Sequence, residues 1–221
     1  MLLTLWTQCR VHEALGNRNM SDLINPSERL PRSPELMSRG DSAVLVVDVQ
    51  DKLIRLVADF ERIVWNIRRL LDGATLFDLP RLATEQYPTG LGPTTRELAE
   101  RLQTPAGIPA KVTFSCGGSP EVITKLRTHA IDKILVCGIE THVCVQQTVL
   151  DFLAGGYRVY VAADATGSRA TFDRDIALRR MESSGATLTT TEAVLFEWCQ
   201  TSDCGNFKQI SALIRESPPS R

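Results

Sequence analysis

Short apolar runs alternate along this chain with longer stretches whose apolar residues recur every three or four positions. Ala43-Val44-Leu45-Val46-Val47 is continuous and mostly β-branched, the pattern of a strand buried on both faces. The same reasoning predicts strands over 43–48, 81–85, 133–138, 157–163 and 186–191, with a short extended segment at Lys111. Helical periodicity covers 60–77, where Ile63, Ile67, Leu70 and Leu71 share one side, and also 94–102, 173–184 and 206–215. Ser119-Pro120 reads as an N-cap with proline in the first turn of a helix carrying Val122, Ile123 and Leu126. A further helix opens near Cys144 and runs to about Ala154, where Gly155-Gly156 stops it. Repeated strand–helix units imply an α/β fold: a mostly parallel sheet with helices on both faces.

The first 40 residues break this pattern. Pro26, Pro31 and Pro34 sit among scattered polar residues, so 1–40 reads as an arm, 41–216 as the domain and 217–221 as a frayed tail. A length of 221 residues, 43% of them hydrophobic, fits one sizeable core. A net charge of −1 gives no basic footprint for nucleic acid. No apolar stretch reaches the roughly 18–20 residues that cross a bilayer. The six cysteines show no dense disulfide spacing, and Cys199 and Cys204 lack the histidines of a zinc site. A reducing cytoplasm is the expected compartment.

Three residues change the picture from fold to chemistry. Cys144 follows a buried-strand pattern and a turn glycine, at the opening of a helix, where unpaired N–H groups and the helix dipole favour thiolate. A packed core cysteine fits that position equally well. Asp48 ends the first strand, and in open α/β sheets ligands bind beyond the strands' carboxyl ends. An aspartate there also serves as a helix cap or turn former. Lys111 stands among short apolar residues in Pro109-Ala110-Lys111-Val112-Thr113-Phe114, the setting of a semi-buried cation.

Together, Val46-Val47-Asp48-Val49-Gln50, Thr84-Glu85-Gln86-Tyr87-Pro88-Thr89-Gly90-Leu91-Gly92, Lys111-Val112-Thr113-Phe114-Ser115 and Gly138-Ile139-Glu140-Thr141-His142-Val143-Cys144-Val145 resemble the isochorismatase-like cysteine hydrolases. Asp164-Ala165 with Ser168 adds a further family-like segment, and the resemblance runs from about Ser42 to about Ile214. It implies a Rossmann-like three-layer α/β/α sandwich with a six-stranded sheet in the order 3-2-1-4-5-6. It also implies a catalytic set of Cys144 as nucleophile, Asp48 as acid/base and Lys111 as supporting cation, with the cation and the helix end lowering the thiol pKa. A cis peptide at Ile139–Glu140 beside an oxyanion hole is implied as well. Gln50, Gln86, Tyr87, Phe114, Thr141 and His142 are candidate substrate contacts. Members that cleave a vinyl ether commonly carry glycine where this chain has Cys144, so amide hydrolysis is the better expectation. Nicotinamidase-type members hold a metal through histidines near strand two; His12, His129 and His142 lie elsewhere, so neither metal nor cofactor is expected.

The expected partners are a small-molecule substrate and further copies of the chain in a homo-oligomer, with no nucleic acid or membrane. Three other readings stand beside the hydrolase. One is a degenerate ligand-binding or scaffold protein on the same fold. Another is a thiol-redox protein pairing Cys144 with Cys116 or Cys137, which lacks a Cys-x-x-Cys pair. The third, a nucleotide-binding Rossmann protein, lacks a Gly-x-Gly-x-x-Gly loop after strand one.

Overall fold

Strand β1 (Ser42–Val47) is wholly buried and lies inside the sheet, flanked by β2 (Arg81–Gln86) and β4 (Lys133–Ile139). The computed structural model describes residues 30–102 and 107–219, so 1–29 of the expected arm and 220–221 of the expected tail lie outside the described residues. Outward from β2 comes β3 (Ala110–Lys111), and outward from β4 come β5 (Arg158–Gly167) and β6 (Thr187–Thr189). The order is β3-β2-β1-β4-β5-β6, and each of these neighbouring pairs is parallel. The described residues from Leu36 on form one compact unit, with Met37 fully buried and its N–H donated to the Glu197 carboxylate at 2.8 Å.

Alternation along β1 divides the core in two. Val44 and Val46 face one side and pack with α2 (Phe60–Leu76), α4 (Arg96–Leu102), α8 (Thr191–Cys199) and α9 (Phe207–Ile214). Ala43, Leu45 and Val47 face the other, against α5 (Pro120–Thr128), α6 (Gln146–Ala154) and α7 (Thr171–Ser183). Each fully buried aliphatic side chain contributes about 1.5–3 kcal/mol, so the two-sided β1 anchors both layers at once. Short helices α1 (Asp51–Ile54) and α3 (Pro88–Leu91) line the ends of β1 and β2.

Several elements depart from the sequence reading, which predicts neither of the short helices α1 and α3. Strand β5 runs to Gly167, beyond the expected stop at 163, because Asp164 is satisfied within it: its carboxylate accepts from the Thr191 N–H at 2.8 Å and hydroxyl at 3.1 Å. Strand β6 is shorter than 186–191. Helix α8 was not expected; the β-branched Thr189-Thr190-Thr191 run disguises its start, where the Thr190 hydroxyl caps the Ala193 N–H.

Register decides what meets at the ends of the strands. Val47 stands level with Thr84 of β2 on one side and Gly138 of β4 on the other. Gly138 has a φ of +118°, and a Cβ there would come within 2.2 Å of the Val47 carbonyl oxygen. Only a glycine lets the two backbones close at this point. Gly138→Ala is therefore expected to destabilise by more than about 2 kcal/mol, read as a lowered urea midpoint at unchanged m-value.

Candidate active site

Asp48 is the first residue past β1, and the chain turns sharply there. Its φ is +51°, in the left-handed region that aspartate tolerates better than most residues. Its N–H donates to the Thr84 carbonyl at 3.2 Å, while its own carbonyl accepts from the Gln50 N–H at 2.8 Å. The carboxylate is fully buried among the ends of the central strands.

Lys111 reaches it from the edge of the sheet. The two-residue β3 pairs with Glu85 and Gln86, and the lysine side chain runs inward. Its Nζ donates to Asp48 Oδ2 at 2.6 Å, Gln86 Oε1 at 2.9 Å, and the Thr113 and Phe114 carbonyls at 3.1 and 2.9 Å. Four oxygens thus surround three N–H donors, and the ammonium is saturated. The second carboxylate oxygen, Oδ1, accepts from the Thr84 hydroxyl at 2.9 Å.

Cys144 arrives from β4. The Ile139–Glu140 peptide is cis. Beyond it, Thr141–Val145 forms a single π-helical turn in which the Glu140 carbonyl accepts from Val145 N–H at 3.2 Å, and α6 follows. The corrected local form is thus a widened turn, not the first turn of an ordinary α-helix. Cys144 is buried, 6% exposed, and its thiol is near enough to Asp48 for the charge of the carboxylate to act on it.

The other sequence candidates fall into three groups. Gln50 and Gln86 are tied into the framework. The Gln50 carboxamide donates to the Gln86 and Gly92 carbonyls at 3.0 and 2.6 Å and accepts the Gln86 N–H at 2.7 Å, pinning the loop after β2 to the turn after β1. Tyr87 and Phe114 are exposed, flanking the Lys111 segment together with the exposed Val112. Thr141 is buried with its hydroxyl unpartnered among the described residues. His142 Nδ1 meets Ser168 Oγ at 3.0 Å, and Glu140 accepts Arg169 Nε at 2.9 Å, joining the β4 turn to the end of β5. Thr84 escaped the sequence reading; its place beside Val47 in the register is the signal that finds it.

Electrostatics reverse one expectation. Burial pushes the Cys144 thiol well above its ordinary range, and the negative Asp48 adds to this; Lys111 opposes without prevailing. Burial likewise raises the Asp48 carboxyl, although Lys111 and hydrogen bonds from Cys144 and Thr84 oppose it. The cation's nearest partner is the carboxylate, so most of its field is spent there. Burial thus favours the neutral thiol at Cys144, beside the buried Lys111–Asp48 ion pair. At the rim, burial raises the Glu140 carboxyl, but bonds from Arg169 outweigh it and hold that group below its usual value. Among the described residues, no cluster of three or more His, Cys, Asp or Glu is placed to hold a metal ion. No described helix is long and apolar enough to cross a membrane.

Comparison with known proteins adds a second line. The isochorismatase domain model matches residues 42–193. Isochorismatase domain-containing protein 2A of Mus musculus is 38% identical over 178 residues, 80% of this chain and 84% of its own length. The structure of MAR1 ribonuclease from Caenorhabditis elegans superposes with a TM-score of 0.78 at 38% identity, covering 84% of this chain and 95% of its own. Two YcaC structures are also similar. That of Pseudomonas aeruginosa, with hexane-2,5-diol and covalent acrylamide, has a TM-score of 0.75 at 28% identity and covers 82% of this chain and 92% of its own. That of Escherichia coli, an octameric hydrolase of unknown specificity, has a TM-score of 0.74 at 27% identity and covers 80% and 90%.

Removing Lys111 leaves Asp48 buried without its counter-charge. Lys111→Met is expected to cost about 3–5 kcal/mol at neutral pH. The folded-state pKa of Asp48 then rises further above its unfolded value, a shift that destabilises fully above the folded pKa and vanishes below the unfolded one. The deficit should shrink as pH falls toward roughly 4, which urea titrations at pH 7 and pH 4.5 would reveal.

Proposed function

The chain belongs to the isochorismatase family, and we propose that within it the chain is a cysteine hydrolase that cleaves small amides or related C–N bonds through a thioester on Cys144. The observation that carries this reading is the buried Asp48–Lys111 pair at 2.6 Å, with the Cys144 thiol near enough to feel the charge of both groups. Hydrolase chemistry in the family supports it.

Cys144 Sγ attacks the substrate carbonyl carbon while its proton passes to Asp48, so thiolate forms as the C–S bond forms. Lys111 keeps Asp48 ionised and oriented until that moment. Asp48 then returns the proton to the leaving nitrogen as the C–N bond breaks, which releases ammonia or an amine and leaves the thioester. Water gives a proton to Asp48 and attacks the thioester carbonyl; the C–S bond breaks, and sulfur recovers the proton. Backbone N–H groups of the turn bearing Cys144 are the natural donors to the developing oxyanion.

Substrate class follows from what is already occupied. Lys111 has no N–H left for an anionic substrate group, so an uncharged amide suits the site better than a carboxylate or a phosphodiester. That argument weighs against extending the ribonuclease activity named for the nematode neighbour to this chain. The covalent acrylamide in the Pseudomonas neighbour is a small amide and a thiol-seeking electrophile, the kind of molecule this reading predicts Cys144 would accept. Exposed Tyr87, Val112 and Phe114 at the rim are proposed contacts for a flat apolar portion of substrate or for a second copy of the chain, and the octameric Escherichia coli neighbour favours a homo-oligomer.

Ammonia release from a panel of small neutral amides should fall at least about a thousandfold in Cys144→Ala and about a hundredfold or more in Asp48→Asn. Acrylamide should form one adduct, on Cys144, visible by peptide mass spectrometry. Full turnover in Cys144→Ala would refute the thioester route, and a folded wild type with neither turnover nor adduct would favour a ligand-binding role. The acid limb of kcat/KM should lie above the roughly 4 of an ordinary carboxylate, because a protonated Asp48 cannot accept the thiol proton and burial raises its pKa.

A further inference from the structure

Asp48 has a second line of support that leads away from Lys111. The Thr84 hydroxyl stands between Asp48 Oδ1 at 2.9 Å and Cys116 Sγ at 3.3 Å, with all three residues buried. A hydroxyl owns one proton. An ionised carboxylate donates none, so the Thr84 proton points to Asp48, and Cys116 must therefore be the donor toward Thr84. Cys116 keeps its proton for this purpose: burial first, then the Asp48 charge, push its thiol up to about 11. Its backbone is fixed as well, since its N–H donates to Thr148 Oγ1 at 2.9 Å.

We infer that Thr84 is a positioning residue for the catalytic base, relaying a hydrogen bond from the Cys116 thiol to Asp48 Oδ1 so that the carboxylate is held as an acceptor from the side opposite Lys111. The importance of this bond depends on the proposed role of Asp48 as the acceptor of the Cys144 proton. Four elements present groups to that carboxylate. Lys111 comes from β3 to Oδ2, Thr84 from β2 to Oδ1, Cys144 from the turn after β4, and Cys116 from the turn after β3 through Thr84. The two oxygens are therefore inequivalent. One is neutralised by a cation and the other is held by a neutral chain whose far end is a second, buried thiol.

The test compares Thr84→Val, which keeps the shape and removes the hydroxyl, with Thr84→Ser, which restores it. Asp48 titration is followed by carbon-13 NMR of its carboxyl, and capture of Cys144 by acrylamide is followed against pH by peptide mass spectrometry. Thr84→Val should raise the Asp48 midpoint by about one pH unit and slow capture about tenfold on the acid limb, with Thr84→Ser close to wild type. Cys116→Ala should move both readings the same way by less, and Cys116→Ser should not. An unmoved Asp48 midpoint in folded Thr84→Val overturns the relay. Should Thr84→Val fail to fold, Cys116→Ala against Cys116→Ser decides in the same manner. A shifted Asp48 midpoint with no capture of Cys144 in any protein supports the relay and overturns the nucleophile reading, so the two fail separately.

Discussion

The ion pair between Lys111 and Asp48 is the constraint around which this molecule is arranged. Both side chains are withdrawn from water, and such a pair is tolerated only where further hydrogen bonds complete each partner. Here they do: Gln86 and two carbonyls complete the ammonium, and Thr84 completes the carboxylate. The residues providing those bonds come from β2 and from the segment beginning at β3, so the charge pair stitches the edge of the sheet to its centre. The short β3 strand offers only two residues of pairing, and the lysine adds an electrostatic tether to that modest backbone attachment.

Burial shapes the chemistry as much as charge does. A lone thiol placed near an ammonium in water would lose its proton more readily. In this site burial and the Asp48 charge both work against the sulfur anion, and together they penalise it more than the cation relieves it. The result is a carboxyl and a thiol that both hold their protons more firmly than usual. Close approach of β4 to β1 at Gly138 makes this geometry possible, since the turn bearing the thiol begins three residues later.

Much of the fold was legible from periodicity, because apolar runs and glycine stops mark strands and turns directly. The order of the strands came only through family resemblance; periodicity carries no information on which strand lies beside which. Helix α8 hid behind threonines that favour strands in general but cap a helix here. The strand was expected to stop at 163, just before Asp164, for want of that residue's partner, Thr191, which is 27 positions away. At the site, Asp48, Lys111 and Cys144 drew attention through motif and setting. Thr84 did not, because a threonine at the end of a strand is ordinary until the register sets it beside a buried carboxylate. The direction of the thiol shift was misread for a related reason: a sequence reveals the presence of a cation but not how much of its field another group absorbs.

A saturated ammonium also bears on how such a site can diverge. Under the proposed reading, discrimination among ligands is left to side chains outside the charge pair, and Val112 and Phe114 are exposed beside Lys111. On that reading, descendants of one ancestral gene acquire new preferences by drift at a few peripheral codons while the buried ion pair is inherited intact.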